Sequence, residues 1–421
     1  MVRQTLNFLN HLAVLCLCGL WMAPALGQTW DRDIEIGALG GVEWNVFHSP
    51  ETYVTNDGTV FPTDSIVLHD PLTLFDIEVD FDREDDNGEW YIQADAGASR
   101  YATLSSANRR SIDLRGGREQ TLNRQMTASA EARLRDEKRL GINILGDELL
   151  TSFSFTQAQL EGALEVEARD NLALDLEVEV FRKWFDQRVT GVSLDQTEWS
   201  ISLESSWVPK RRRRGLLNLD LVGEKRIDES GELTTELSYR QKNYVNWVNF
   251  DILDPARDPL APTPFLPFDS LYAHPLRQWT YATLTVRYEW PEWRGWSLRV
   301  DARTQRRNDL SFGDFGYVDA KSALRLAHEG KDLELAGSLS YTWREYTDRL
   351  AEQQSPAPFP LLKYNYFRLD LSAEYRLKKG LLLLAMADFT QRTSNTTAIY
   401  RRTRREYATA TVLVGLSAEF N

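Results

Sequence analysis

Strict alternation of polar and apolar residues, repeated over most of the chain, constrains the fold more than any other feature. In Asn365–Arg376 and the residue after it, Phe367, Leu369, Leu371, Ala373, Tyr375 and Leu377 share one face, and Arg368, Asp370, Ser372, Glu374 and Arg376 share the other. Successive side chains of a strand point to opposite sides, so such a strand is apolar on one side and charged on the other. One strand of this kind fits a soluble sandwich. Nearly every strand doing so, behind an export segment, fits a closed antiparallel barrel with lipid outside and water inside.

The export segment is residues 1–27. Arg3 supplies a positive start, Leu12–Leu20 is an apolar run too short to span a bilayer, and Ala25-Leu26-Gly27 reads as a small-x-small cleavage site. Both cysteines, Cys16 and Cys18, fall inside it behind Leu15 and Leu17, where a lipoprotein anchor would need small residues. The mature chain therefore carries neither disulfides nor thiol chemistry. Cleavage removes one arginine and no acid, taking the net charge from −13 to −14. That excludes general nucleic-acid binding. A mean hydropathy of −0.43 is what a barrel gives, because half of each strand is polar.

Turn signals separate the alternating stretches. Phe75, Ile77, Val79 and Phe81 precede an Asp-Asp-Asn-Gly turn (85–88), and Trp90, Ile92, Ala94, Ala96 and Ala98 follow it. Leu172 to Val180 keeps a period of two without a miss after the turn at Arg169-Asp170-Asn171, which rules for strand over helix despite its Leu and Glu. Further strands flank Pro291–Gly295, Glu329-Gly330 and Lys378-Lys379-Gly380, and one is expected over Leu217–Leu221. Between the short turns lie longer connections, roughly His48–Asp70, Ser105–Gly117, Asp251–Arg277 and Thr347–Leu361. Alternating short turns and long loops fit a transmembrane barrel. The count is about 16 strands, with 14 to 18 allowed, in one domain covering 28–421. Trp90, Trp207, Trp290, Trp293 and Trp296 sit beside turns, where an interfacial girdle belongs.

The final strand places Ala408, Ala410, Val412, Val414, Leu416, Ala418 and Phe420 on one face. Here the sequence resembles bacterial outer-membrane barrels, whose last strand ends in an aromatic residue; Asn421 displaces it from the very end. The resemblance implies an outer-membrane location, contact with lipid and lipopolysaccharide, and recognition of the last strand by the barrel assembly machinery. Arg392-Thr393-Ser394-Asn395, Tyr400 and Arg404 look like the last outer loop of barrels associated with exopolysaccharide export and of surface lipoprotein assembly modifiers. The helical-repeat domain of many such proteins has no counterpart in these 421 residues.

The water-facing positions are densely charged. Asp76, Glu78, Asp80, Asp175, Glu177 and Glu179 form acidic ladders, while Arg299, Asp301 and Arg303 and the set Arg368, Asp370, Glu374 and Arg376 are mixed. These residues are the candidates for lining a lumen and touching a polar solute, a polysaccharide included; Arg–carboxylate ladders that merely hold strands together are the competing account. Arg401, Arg402, Arg404 and Arg405 are a candidate basic cluster at the outer rim, and Arg211–Arg214 reads as a solvated turn. His48, His69, His274 and His328 show no metal-ligand spacing, and no cysteine, phosphate loop or catalytic constellation accompanies them. The sequence thus points to a non-enzymatic channel or export pore without metal or cofactor. A barrel esterase or protease, and a structural or assembly barrel with no open pore, are the alternatives.

Overall fold

The computed structural model describes residues 30–46, 68–138, 154–169, 171–185, 195–208, 231–248, 276–310, 315–351, 359–378, 380–396 and 406–420, with two short strand pairs, 53–54 with 60–61 and 140–141 with 151–152. Sixteen long strands follow one another: β1 (Asp31–Trp44), β2 (Asp70–Asp85), β3 (Gly88–Tyr101), β4 (Arg109–Asn123), β5 (Met126–Lys138), β6 (Phe155–Arg169), β7 (Leu172–Phe185) and β8 (Gln196–Trp207). The second half comprises β9 (Glu232–Val248), β10 (Leu276–Glu289), β11 (Trp296–Asp309), β12 (Tyr317–Glu329), β13 (Leu333–Leu350), β14 (Leu361–Lys378), β15 (Leu381–Ser394) and β16 (Tyr407–Phe420). Each pairs antiparallel with its sequence neighbours, and β1 pairs with β16, closing the barrel. Closure leaves no unpaired strand edge, which a hydrocarbon environment demands.

The register shows why this sequence closes. Ile34 lies opposite Phe420 and Val79, and Ile36 opposite Ala418 and Ile77, so the apolar positions of β16, β1 and β2 share one face. The same phase runs round the ring through Leu203–Leu237–Leu284 and Leu324–Leu339–Leu369. This face is the outer one, for Leu160, Leu237 and Val412 remain 65%, 60% and 56% exposed. Inward side chains instead reach across intervening strands: the Tyr91 hydroxyl on β3 donates to Glu131 on β5 at 2.7 Å, which only the concave side permits.

Connections alternate between tight turns at one end of the barrel and longer segments at the other, except that β8 and β9 are joined at the tight-turn end by the 24 residues 208–231. Gly295 and Gly380 adopt positive φ (79° and 71°) in two of the tight turns, a conformation glycine takes without a Cβ penalty. Residues 102–108 are an exception among the longer connections. Ser105–Ala107 forms a single 3₁₀ turn, anchored because the Asp70 carboxylate accepts from the backbone N–H groups of Thr103 (2.8 Å) and Leu104 (2.6 Å). The loop expected over Ser105–Gly117 is accordingly too long, as strand β4 begins at Arg109. Its charges and the Gly116-Gly117 pair mask an alternation in which Ile112 and Leu114 face out and Asp113 and Arg115 face in. The strand expected over Leu217–Leu221, the basic run Arg211–Arg214 and the segment 1–27 lie outside the described residues.

Candidate functional site: the barrel lumen

Strand phase places every candidate lining residue on the inner face. Asp76, Glu78 and Asp80 alternate with outward Phe75, Ile77 and Val79 on β2. Asp175, Glu177 and Glu179 alternate with Leu176 and Val178 on β7, while Arg299, Asp301 and Arg303 on β11 and Arg368, Asp370, Glu374 and Arg376 on β14 follow the same rule. Neighbouring strands extend these ladders into rows running round the wall.

One row joins Glu419, Glu35, Glu78, Asp95 and Asp113 across β16, β1, β2, β3 and β4, each opposite the next. It is well partnered. Ser417 donates to Glu35 (2.5 Å), Gln93 to Glu78 (2.6 Å), Arg115 pairs with Asp95 (3.0 Å) and Arg133 with Asp113. A second row joins Glu165, Asp175, Glu204 and Glu236 across β6 to β9. Like charges directly opposite destabilise a sheet, and among the described residues none of these four carboxylates has an ion pair.

On the wall from β10 to β13 two carboxylates are shared among five arginines. Asp301 is shared by Arg287 (3.1 Å), Arg299 (3.1 Å) and Arg325 (3.7 Å), and the fully buried Asp319 by Arg303 (3.5 Å) and Arg344 (2.9 Å). Arg368 pairs with Asp370 at 2.8 Å.

Two features of the lumen are missing from the alternation reading. Toward the long-loop end, inward aromatic rings interleave with cations: Arg307 lies 4.3 Å from the Trp279 ring centre and 4.2 Å from that of Tyr317, Arg344 lies 4.0 Å from Tyr317, and Arg392 lies 3.9 Å from Tyr364. Each such contact contributes about 0.5–2 kcal/mol, so the arc is a stiff ledge. The interior also has an apolar side. Leu413, inward and 6% exposed, packs with Leu39, Leu72 and Tyr101, and Leu104 and Leu384 lie against that cluster. Leu413 breaks the alternation of its strand, and the run Leu381–Leu384 gives β15 leucines on both faces. Inward aromatics recurring beside each long connection would have disclosed the ledge once the strands were phased.

The outside resolves the setting. Trp90, Trp207, Trp290 and Trp293 crowd the short-turn end, 41–54% exposed. Near the other end Trp199 packs on Tyr239 (5.4 Å between ring centres) and Tyr341 stands 47% exposed. An apolar band between two aromatic belts, closed on itself and crossed by 16 strands, matches the hydrocarbon slab and its two interfaces. The chain is an outer-membrane β-barrel.

No sequence family and no curated protein matches this barrel. Solved structures similar to it include a bacterial polysaccharide outer membrane secretin (10% identity, 93% of this chain and 98% of that one, TM-score 0.42). A loop-deletion form of the outer membrane protein OmpT of Vibrio cholerae is 9% identical over 93% and 99% of the two chains (TM-score 0.37). A mutant of the TodX monoaromatic hydrocarbon channel is 11% identical over 94% and 91% (TM-score 0.34).

Several remaining candidates have defined places in the barrel and others do not. Of the Trp set, Trp296 stacks on His328 (4.6 Å), whose Nδ1 lies 3.2 Å from the Gly295 carbonyl oxygen. His69 stacks on Trp44 (5.8 Å). Within Arg392-Thr393-Ser394-Asn395, Asn395 donates to the Leu361 carbonyl and accepts from the Lys363 N–H, both at 2.8 Å, binding the end of β15 to the start of β14. Arg401, Arg402, Arg404 and Arg405, with Tyr400, His48, His274 and most of Asp251–Arg277, lie outside the described residues.

Proposed function

We propose that the barrel is a passive, non-enzymatic outer-membrane channel for polar solutes, saccharides among them. One observation carries this reading: inward side chains half-way along the strands open onto free space. The side chains of Arg325 and Arg368 are 55% and 61% exposed and Met386 is 49% exposed, although all three point away from lipid. They border a cavity of about 470 Å³. Rings of 16 strands are wide enough to leave an aqueous path where smaller ones are filled by side chains. Charged walls facing that path sort solutes by field and hydrogen bonding. The paired ladders Arg115–Asp95 and Arg133–Asp113 favour a second reading, a structural barrel whose interior serves to hold strands together. Reconstitution into planar bilayers separates the two. Discrete conductance steps are expected of the channel, together with swelling of proteoliposomes in small sugars; silence in both assays would leave the structural barrel.

A further inference from the structure

Around Asp301 and Asp319, on β10 to β13, five arginines and Lys321 face these two carboxylates, and one of the arginines, Arg325, borders the open space. On strands β10 to β14, Asp301 serves three arginines and Asp319 two, leaving Asp370 for Arg368. Lys321 has no carboxylate within ion-pair distance among the described residues, and its electrostatic neighbours are Arg303, Arg325 and Arg368 with Asp301 the one carboxylate. The register makes the crowding explicit. Lys321 lies directly opposite Arg303, and Arg325 directly opposite Arg299, so two like-charge cross-strand pairs flank the Asp301–Ala323 pair on one hairpin. Such pairs cost stability unless something bridges them; Asp301 bridges Arg299 and Arg325, whereas no carboxylate among the described residues reaches both Lys321 and Arg303. The Nε atom of Arg303 is also buried without a hydrogen-bond partner.

We propose that this wall is a binding site for solutes bearing an oxyanion group, whether carboxylate, sulfate or phosphate; the proposal rests on the channel reading for its route of access. Arg325 and Arg368, the two most open of these cations, border the 470 Å³ cavity together with Ser338 and Ser372; Asp370, paired with Arg368, and Asp388 line its β14–β15 side, and Met386 and Leu413 make part of it apolar. Guanidinium groups bind oxyanions through paired N–H donors, and a nearby ammonium adds charge without directional demand. A solute with an anionic group on a partly apolar body meets both of its requirements there. The acidic row on β6 to β9, without ion pairs among the described residues, repels the same solute, which confines it to the basic wall.

The test is equilibrium binding by the folded protein in detergent micelles, using tripolyphosphate and citrate as probes at low ionic strength and maltotriose as the neutral control. Both anions should bind and maltotriose should not. The double variant Lys321→Gln/Arg325→Gln, which leaves Arg287 and Arg299 on Asp301, should weaken anion binding by roughly tenfold or more while keeping the heat-resistant folded band. Arg368→Gln, outside that hairpin, is the second variant should the first fail to fold, with the same loss expected. Absent anion binding by the wild-type protein, or unchanged affinity in folded variants, overturns the proposal. Bilayer currents separate this from failure of the channel reading: anion binding without conductance keeps the site and removes the channel, whereas conductance without anion binding does the reverse.

Discussion

Leu371 and Asp370 are adjacent in sequence and face different solvents, and that single step of register sets the cost of changing either. Leu371 is 48% exposed on the outer face. Replacing it with Arg puts a charge against hydrocarbon and should cost about 2–4 kcal/mol near the bilayer midplane. Glu177→Gln, inward and without an ion pair among the described residues, should cost far less. Urea unfolding in lipid vesicles reads both, and equal losses would show the faces to be misassigned. Asp319 is a third kind of residue, inward yet fully buried, holding Arg303 and Arg344 together. Asp319→Asn should cost about 3 kcal/mol by stranding two guanidinium groups, seen as a lowered urea midpoint in the same assay. The sequence made the first distinction legible, because period two needs only residue type. It did not disclose Asp319 or Leu413, since burial within the lumen depends on which loops and rings lie overhead.

At the scale of strands and turns, the short turns at 85–88, 169–171, 291–295, 329–330 and 378–380 were all readable from Gly, Pro, Asn and Asp. Strand β4 was not, as polar residues on both faces near its start look like a loop. The seam between β1 and β16 shows a different device. A Cβ on Gly41 would collide with the Val412 carbonyl oxygen, and one on Gly415 with that of Ala38, so at these two points the seam needs bare backbone. Gly41→Val should therefore block closure, giving protein that reaches the periplasm but lacks the heat-resistant band; a normal band would mean the seam tolerates side chains. Phe420, 55% exposed at the end of that seam, bears on the other half of assembly. Deleting Phe420 and Asn421 should lower membrane-inserted yield without lowering export, measured by fractionation.

For the whole molecule, the fold was legible and the distribution of charge was only half so. Counting alternating stretches arrives at about 16 strands, within a range of 14 to 18, because each crossing repeats the same pattern, although the stretch Leu217–Leu221 is not among the sixteen described strands. Single ladders such as Asp175, Glu177 and Glu179 were visible too, but rows such as Glu165–Asp175–Glu204–Glu236 exist only once four strands are set in register. Neutralising that row with Gln and Asn should move the zero-current potential in a KCl gradient away from cation preference, and an unmoved potential would place the row off the ionic path. One further consequence lies in the closure itself. Ile34 faces Phe420, so both ends of the barrel chain meet at the short-turn side and the sixteen pairings form a circle without a privileged first strand. A gene that places the export segment 1–27 before Leu333, splices 420 to 31 and finishes at Glu329 encodes the same circle of pairings. Only the position of the aromatic terminus changes, which makes such a permuted chain the means of asking whether Phe420 matters as a side chain against lipid or as the last word of the polypeptide.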